Sequence, residues 1–275
     1  MTSADLTAPI GVFDSGLGGL TVVRAIAGAL PREHIVYLGD TARVPYGTRS
    51  PSTVIRYARG CGAALRARGV KLLVVACNTV SAVALDVLRV ELDIPVLGVI
   101  EPGARAGVDA SRARRLGVIA TAGTVASGAY VRAVAGVDSR VEVFAHAAPL
   151  LVPLVEEGWT EGEVPRLAVR KYLEPLADAQ IAALVLGCTH YPLLARIIES
   201  ELASLAGRPL PVVDSAHATA AELAALLEQR GLASTRRENG ELRLLVTDLP
   251  GRFAEVASRF LGRDVAGLQV EQIDL

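Results

Sequence analysis

Residues 72–79, LLVVACNT, are a run of five apolar residues that ends in a cysteine and two polar side chains. The pattern is typical of a buried parallel strand that passes into a helix at its carboxyl end. It occurs again in residues 183–190, ALVLGCTH. A segment of this kind, used twice in one chain, indicates an internal duplication.

Other segments repeat around these two in the same order. Residues 10–15, IGVFDS, resemble residues 116–121, LGVIAT, because each is an apolar run that ends in a polar turn. Each cysteine segment is also followed by a Pro-Val strand, at Pro95 and Pro211. The chain is therefore predicted to consist of two related α/β halves.

The rest of the chain alternates short β-rich runs with helical periodicity, which favours an α/β fold with mainly parallel central sheets. Only residues 234–240 are predicted to be a plain surface loop. The first domain is expected to comprise residues 1–98 and 208–275, and the second residues 99–207. The predicted strands are residues 10–13, 35–38, 72–76, 96–99, 116–120, 141–144, 184–186, 211–213 and 242–246.

Composition narrows the class of protein. The chain has 275 residues, of which 51% are hydrophobic and 21% charged, so it is expected to fold as a globular protein. A formal net charge of −1 provides no strong field for nucleic acid or membranes, and charges interrupt every apolar stretch before it reaches spanning length. Residues 1–9 lack the pattern of a secretory signal, so the predicted location is the cytoplasm.

The three cysteines are too few for a disulfide framework. Cys77 and Cys188 lie at carboxyl ends of strands, where open α/β sheets bind ligands, and a thiol at such a position can become a thiolate. The alternative for each is a buried cysteine with a capping neighbour. Cys61 lies in a helical pattern and is expected to pack in the core.

Two thiols on opposite walls of one cleft could remove a proton from one face of a carbon and return it to the other, which inverts the centre. Asp14 is the predicted proton partner of Cys77, and His190 that of Cys188. The alternatives are that Asp14 caps a helix beginning near Leu17, and that His190 is a packed or solvent-facing helix residue.

No cofactor and no metal are expected. Lys71 and Lys171 are the only lysines, and neither has the context of a Schiff-base residue. Residues 16–21, GLGGLT, lack the last glycine of a dinucleotide fingerprint, although their amides could hold a carboxylate. The cysteine and histidine spacings do not suit zinc.

Four blocks together carry a resemblance to a known family: residues 11–21, GVFDSGLGGLT; residues 37–40, YLGD, with 45–47, PYG; residues 76–79, ACNT; and residues 186–194, LGCTHYPLL. The chain resembles the cofactor-independent glutamate racemases of the aspartate/glutamate racemase superfamily over most of its length. The resemblance implies two pseudo-symmetric α/β domains with the active site in the interdomain cleft. It also implies that L- and D-glutamate are interconverted, which supplies D-glutamate for peptidoglycan.

By the same resemblance, Cys77 takes the α-proton from D-glutamate and Cys188 from L-glutamate, assisted by Asp14 and His190. Glu156 and Tyr46 are implied to contact the substrate. The alternative for Glu156 is a solvated helix end, and the alternative for Tyr46 is ordinary loop packing. Relatives often carry Cys-Pro where this chain has Ala148-Pro149, a position outside the proton carriers. The implied substrate-binding residues are Asp14, Ser15, Pro45, Tyr46, Gly47, Asn78, Thr79, Thr121, Thr124, Glu156 and Thr189.

Other functions stay open at this point. The substrate could be aspartate or another amino acid, or the chain could be a non-catalytic binding protein with a two-lobed cleft. It could also act on a protein partner through its surface, where Arg112, Arg114 and Arg115 form a basic cluster that is more typical of a solvated face. The expected partners are a small-molecule substrate and a second copy of the chain in a homodimer. Binding to nucleic acid or to a membrane is not expected.

Overall fold

The computed structural model describes residues 5–264 and 269–275, and the chain divides into two compact units. The first unit comprises residues up to Val99 together with those from Ala216 onwards, and the second comprises Ile100–Ser215. Residues 1–4, on which part of the secretory-signal prediction falls, lie outside the described residues. Among the helices described, none is both long enough and apolar enough to cross a membrane.

Strands and helices alternate along both units. The strands are β1 (Ile10–Asp14), β2 (Ile35–Gly39), β3 (Leu72–Val75), β4 (Val96–Gly98), β5 (Arg115–Ala120), β6 (Glu142–Ala147), β7 (Ala183–Gly187), β8 (Val212–Asp214), β9 (Leu242–Val246) and β10 (Val270–Gln272). The helices are α1 (Leu20–Ala29), α2 (Pro51–Ala67), α3 (Asn78–Val83), α4 (Leu85–Glu91), α5 (Ile100–Ala110), α6 (Ala122–Ala126), α7 (Ala129–Val137), α8 (Leu151–Glu156), α9 (Glu163–Asp178), α10 (Ala195–Ala206), α11 (Ser215–Gln229) and α12 (Pro250–Leu261). Short 3₁₀ turns lie at Thr41–Arg43, Tyr46–Thr48 and Tyr191–Leu194.

The two sheets share the order of four strands. The first unit has the strand order β10-β9-β2-β1-β3-β4 and the second β6-β5-β7-β8, and the paired strands are parallel. The four strands β2-β1-β3-β4 therefore correspond one to one with β6-β5-β7-β8. The predicted α/β class with parallel sheets is confirmed, and the repeated strand order agrees with the duplication inferred from the cysteine segments.

The nine predicted strands are all present, with ends that differ by at most three residues. Their apolar runs are recognisable because strands such as β1, β2, β3 and β7 are buried along their whole length. Strand β10 was not predicted. It pairs with β9 at the edge of the sheet, and its sequence, Val-Glu-Gln, has two exposed polar residues, so it carries no apolar run.

Strand β8 corrects the predicted domain boundary. It pairs with β7 through the partners Leu184 and Val212, so it completes the second sheet. The sequence-based division instead assigned everything from residue 208 to the first domain. The division by contacts falls after Ser215, because the ladder between β7 and β8 holds that segment in the second unit.

A buried ion pair lies at the amino-terminal ends of strands β2 and β3 in the first sheet. Lys71 Nζ lies 2.6 Å from Glu33 Oε2, and both side chains are 3% exposed. The same ammonium donates to the carbonyl oxygens of Leu6 at 2.9 Å and Leu232 at 2.8 Å. Glu33 Oε1 accepts from the Ser234 amide at 2.7 Å. Lys71 therefore ties the chain before β1 and the loop before β9 to the start of β3.

Replacing Lys71 by Met tests this role. The variant leaves the Glu33 carboxylate buried without its counter-charge, so the free energy of unfolding should fall by about 3–5 kcal/mol in urea titrations. The double variant with Glu33→Gln should recover part of the loss. Lys171→Met, at the exposed second lysine on α9, should change stability by less than about 0.5 kcal/mol. An equal loss of stability in Lys71→Met and Lys171→Met would contradict the interpretation of a buried ion pair.

Candidate functional site

The first group of predicted site residues gathers where β1 and β3 end. The two strands pair directly, and the Ala76 amide donates to the Phe13 carbonyl at 2.8 Å, so Asp14 and Cys77 leave neighbouring strands at the same sheet edge. Cys77 precedes α3 as its N-cap residue and is 6% exposed. Its sulfur donates to Ser15 Oγ at 3.5 Å. We call this group the Cys77 cluster: Asp14, Ser15, Cys77, Asn78 and Thr79.

Asn78 and Thr79 form the first turn of α3 and are both buried beside Cys77. The structure thus places two of the predicted substrate-binding residues next to the first thiol. Both side chains are polar and buried, so each needs hydrogen-bond partners.

Asp14 does not cap a helix. Helix α1 begins only at Leu20, and its N-cap residue is Gly19. The Asp14 carboxylate is fully buried and accepts instead from the Gly16 amide at 3.1 Å. The capping alternative is therefore wrong, because the turn between β1 and α1 is longer than the sequence suggested.

Glycine is required at position 19 by contact rather than by backbone angle. Its φ of −60° suits any residue, but a Cβ there would lie 2.4 Å from Asp14 Cβ. The absence of a side chain at Gly19 therefore makes room for the buried carboxylate. This is a structural role for the glycine-rich turn that its likeness to a dinucleotide fingerprint does not suggest.

Tyr37, which is not among the predicted site residues, supports the same turn. Its hydroxyl donates to the Gly16 carbonyl at 2.7 Å. Burial raises the pKa of Tyr37 well above its usual value, and the negative charges of Asp14 and Cys77 raise it further. The phenol therefore stays protonated and keeps donating. Its place in the YLGD block was the one signal in the sequence.

Residues 45–47 lie in a segment next to this turn. A Cβ at Gly16 would lie 2.9 Å from Val44 Cγ1, so the segment covers Gly16. Pro45 is exposed and Gly47 half-buried, whereas Tyr46 is 1% exposed. The Tyr46 hydroxyl donates to Asp40 Oδ2, and its ring packs 5.4 Å from that of Tyr57. Tyr46 thus packs inside the loop, as in the alternative given for it above, whereas Pro45 and Gly47 remain more accessible.

The second group gathers where β5 and β7 end, the positions that correspond to β1 and β3. Thr121 caps α6, accepting from the Thr124 amide at 3.3 Å, and the two threonine hydroxyls are 3.0 Å apart. Cys188 follows β7 and is 5% exposed. We call this group the Cys188 cluster: Thr121, Thr124, Glu156, Cys188, Thr189 and His190.

His190 connects the thiol to a carboxylate. Its Nδ1 lies 3.9 Å from Cys188 Sγ and 3.4 Å from Thr189 Oγ1, and its Nε2 lies 3.1 Å from Glu156 Oε1. The imidazole is buried, whereas the Glu156 side chain is 40% exposed. Glu156 is therefore paired with His190 at the end of α8, rather than being only a solvated helix end.

The electrostatics of His190 follow from these neighbours. Burial lowers the pKa of the imidazole, but the hydrogen bonds to Cys188 and Glu156, with their negative charges, outweigh it and raise the pKa to about 10. At neutral pH His190 is therefore a cation between the Cys188 sulfur and the Glu156 carboxylate.

The remaining sequence features have structural roles. Ala148 is fully buried and its carbonyl accepts from the Tyr191 hydroxyl at 2.8 Å, so this position contributes backbone to the surroundings of Cys188. Cys61 packs in the core of the first unit, as predicted, and burial raises the pKa of its thiol. In the part of the chain that the structure describes, no group of three or more His, Cys, Asp or Glu side chains could hold a metal ion.

The structure thus contains two buried cysteines at equivalent strand ends of two parallel sheets, and each cysteine has its own polar partners. The family model for Asp/Glu/Hydantoin racemase matches residues 10–223. The chain belongs to this racemase family.

Individual relatives point in one direction within the family. A glutamate racemase of Geobacter metallireducens is 51% identical over 253 residues, which cover 92% of each chain. The crystal structure of a glutamate racemase from Bacillus anthracis superimposes with a TM-score of 0.92 at 39% identity, covering 98% of both chains. That of the Francisella tularensis glutamate racemase in complex with D-glutamate has a TM-score of 0.87 at 37% identity, covering 98% of this chain and 97% of the other.

The contact between Gly19 and Asp14 predicts that two glycine-to-alanine substitutions, at the N-cap of α1 and inside α1, change the free energy of unfolding in opposite directions. Gly19→Ala should lower the free energy of unfolding by about 1–3 kcal/mol, because the new methyl group displaces the Asp14 side chain. Gly28→Ala in α1, where a Cβ would meet nothing within 4 Å, should stabilise by about 0.5–1 kcal/mol. Urea unfolding of both variants measures the difference, and a neutral Gly19→Ala would contradict the contact.

The raised pKa of His190 predicts a pH-dependent stability. The imidazole binds its proton more tightly in the folded than in the unfolded chain, so its contribution is full below about pH 6.5 and is lost as the pH rises towards about 10. The stability difference between wild type and His190→Gln should shrink over that range. Unfolding titrations at several pH values measure it, and a difference that grows with pH would contradict the assignment.

Proposed function

We propose that this chain is a glutamate racemase that interconverts L- and D-glutamate with two thiols and without a cofactor. The observation that carries the proposal is the repetition of one arrangement: a buried cysteine after the third strand of each related sheet, beside the polar residue that ends or follows the first strand. Relatives named glutamate racemase, at up to 51% identity, support the same substrate.

The proposed reaction moves one proton off the α-carbon and one proton on. From D-glutamate, the Cys77 thiolate takes the α-proton and the bonding electrons stay on the substrate as a carbanion. The Cys188 thiol then gives its proton to the opposite face, which yields L-glutamate and leaves Cys188 as thiolate. The reverse direction exchanges the two roles. The mechanism requires both thiols to reach opposite faces of one carbon.

In the Cys77 cluster, Asp14 is the proposed proton partner. Its carboxylate sits at the end of the neighbouring strand, fully buried, and is oriented by the Gly16 amide. The Ser15 hydroxyl accepts from the Cys77 thiol and so fixes the direction of the sulfur. A buried carboxylate near a thiol can take up its proton when the thiolate is needed.

In the Cys188 cluster, the proposed partner is the His190 imidazolium. With its raised pKa and its contact to Glu156, the imidazole carries its proton at neutral pH, and its Nδ1 lies 3.9 Å from the Cys188 sulfur. The two thiols thus have partners of opposite charge type, a carboxylate for Cys77 and a cation for Cys188. We infer that this difference tunes the two directions of an otherwise symmetric reaction.

The carbanion also needs stabilisation, because an α-proton of an amino acid is far less acidic than a thiol. We propose that donors arranged around the substrate's ammonium and carboxylate groups supply it in a site shielded from water. The hydroxyl and amide side chains of both clusters and the backbone of residues 45–47 are suited to this task. The proposed binding residues are Asp14, Ser15, Pro45, Tyr46, Gly47, Asn78, Thr79, Thr121, Thr124, Glu156 and Thr189.

The proposed setting follows from the reaction. We propose that the D-glutamate made by this enzyme supplies peptidoglycan synthesis and that the enzyme is cytoplasmic. We propose a homodimer and no nucleic-acid or membrane partner, in keeping with the net charge of −1. The two compact units would be the two domains of the enzyme.

Alanine at either thiol tests the mechanism. Cys77→Ala and Cys188→Ala should each lower the turnover for racemisation by a factor of about 10² to 10⁴ or more, because each direction needs one base and one acid. Loss of optical rotation from pure L-glutamate and from pure D-glutamate, with solvent deuterium entering the α-position, measures both substrate and chemistry.

Cys61→Ala is the matched control, since its thiol lies in the core, and it should keep turnover near wild type. Full turnover by either of the other two variants would refute the two-thiol scheme. Faster racemisation of aspartate than of glutamate would change the substrate, and glutamate binding without deuterium uptake would favour a binding protein.

A further inference from the structure

Two segments more than 200 positions apart are joined at the carboxyl edge of the first sheet. The Thr247 hydroxyl donates to Asp40 Oδ1 at 2.8 Å and accepts from the Ala42 amide at 2.9 Å. The Thr41 hydroxyl donates to the Asp248 carbonyl at 2.7 Å and accepts from the Asp248 amide at 2.8 Å. We call these four hydrogen bonds the Thr247 clasp.

The carboxylate that Thr247 binds also holds the Tyr46 segment. Asp40 is fully buried, and its Oδ2 accepts from the Tyr46 hydroxyl and from Arg43 Nε, the latter at 2.7 Å. Thr247 engages the other oxygen. One planar group is therefore held from both sides, so its orientation for Tyr46 depends on the hydroxyl of Thr247.

The Tyr46 segment borders the Cys77 cluster. The Asp40 amide donates to the Asp14 carbonyl at 3.1 Å, and Val44 packs against the turn at Gly16. That turn carries Ser15, the acceptor for the Cys77 thiol. A change in the orientation of Asp40 would therefore be transmitted to residues 45–47 and to the edge of the cluster.

We propose that Thr247 is a positioning residue for substrate binding: through Asp40 it holds the Pro45–Tyr46–Gly47 segment in place beside the Cys77 cluster. Thr247 lies outside residues 10–223, the part matched by the family model. The inference rests on the proposed racemase function, because its main readout is the KM for glutamate.

Thr247→Val is the direct test, since it keeps the side-chain shape and removes only the hydroxyl. Without the clasp, glutamate has to order the segment on binding, so the KM for both enantiomers should rise roughly fivefold, the factor of about one net hydrogen bond, with kcat changed less than about twofold. Hydrogen exchange of the Arg49 amide, which donates to the Tyr46 carbonyl, should become faster.

Two further variants separate positioning from a general effect on the fold. Thr247→Ser restores the hydroxyl and should return KM to the wild-type value. Thr235→Val makes the same chemical change at an exposed threonine in the loop of residues 234–240 and should leave KM and exchange unchanged. A lower unfolding midpoint for Thr247→Val with an unchanged KM would show a structural role only and overturn the proposal.

Tyr46→Phe provides a second route to the same quantity, and it serves if Thr247→Val does not fold. It removes the other hydroxyl on Asp40, so KM should rise by a similar factor, and the double variant should be no worse than either single one. An unchanged KM in Tyr46→Phe, or additive effects in the double variant, would overturn the coupling through Asp40.

The wild-type enzyme separates this inference from the proposed function. If the wild type racemises glutamate and Thr247→Val has the wild-type KM, only the role of Thr247 fails. If the wild type does not racemise glutamate at all, the proposed function fails and the positioning role fails with it.

Discussion

The hydrogen-bond ladder between adjacent parallel strands is the constraint on which both clusters depend. Because β1 pairs with β3 and β5 with β7, the residues that leave these strands emerge side by side at one edge of each sheet. Asp14 and Cys77, which are far apart in sequence, become neighbours for this reason alone, and so do Thr121 and Cys188. The buried apolar strands supply the rigidity, while the chemistry lies at their ends.

The two clusters share a scaffold but differ in charge. The Cys77 cluster places a buried carboxylate beside the thiol, whereas the Cys188 cluster places an imidazole whose pKa is raised to about 10. The thiols thus occupy equivalent positions in the two sheets, while their polar partners differ.

Much of the fold was predictable because most strands contain an apolar run, which in β2, β3 and β7 is buried along the whole strand, and because most helices between them are amphipathic. The α/β class, nine strands and the strand-end positions of both cysteines followed from that pattern. The polar edge strand β10, the assignment of β8 to the second sheet and the late start of α1 at Leu20 did not. Each of these depends on pairing or packing with residues distant in sequence, which a local pattern does not encode.

By itself, the sequence determined which residue types stand at the strand ends: a thiol in each half, a carboxylate in one and an imidazole in the other. Only the tertiary structure decided what those groups touch. It placed Glu156 against His190, made Gly19 the space for Asp14, and brought Thr247 to Asp40 across more than 200 residues. The physical reason is that apolar periodicity is a local property of the chain, whereas hydrogen-bond partners and pKa shifts depend on distances that exist only after folding.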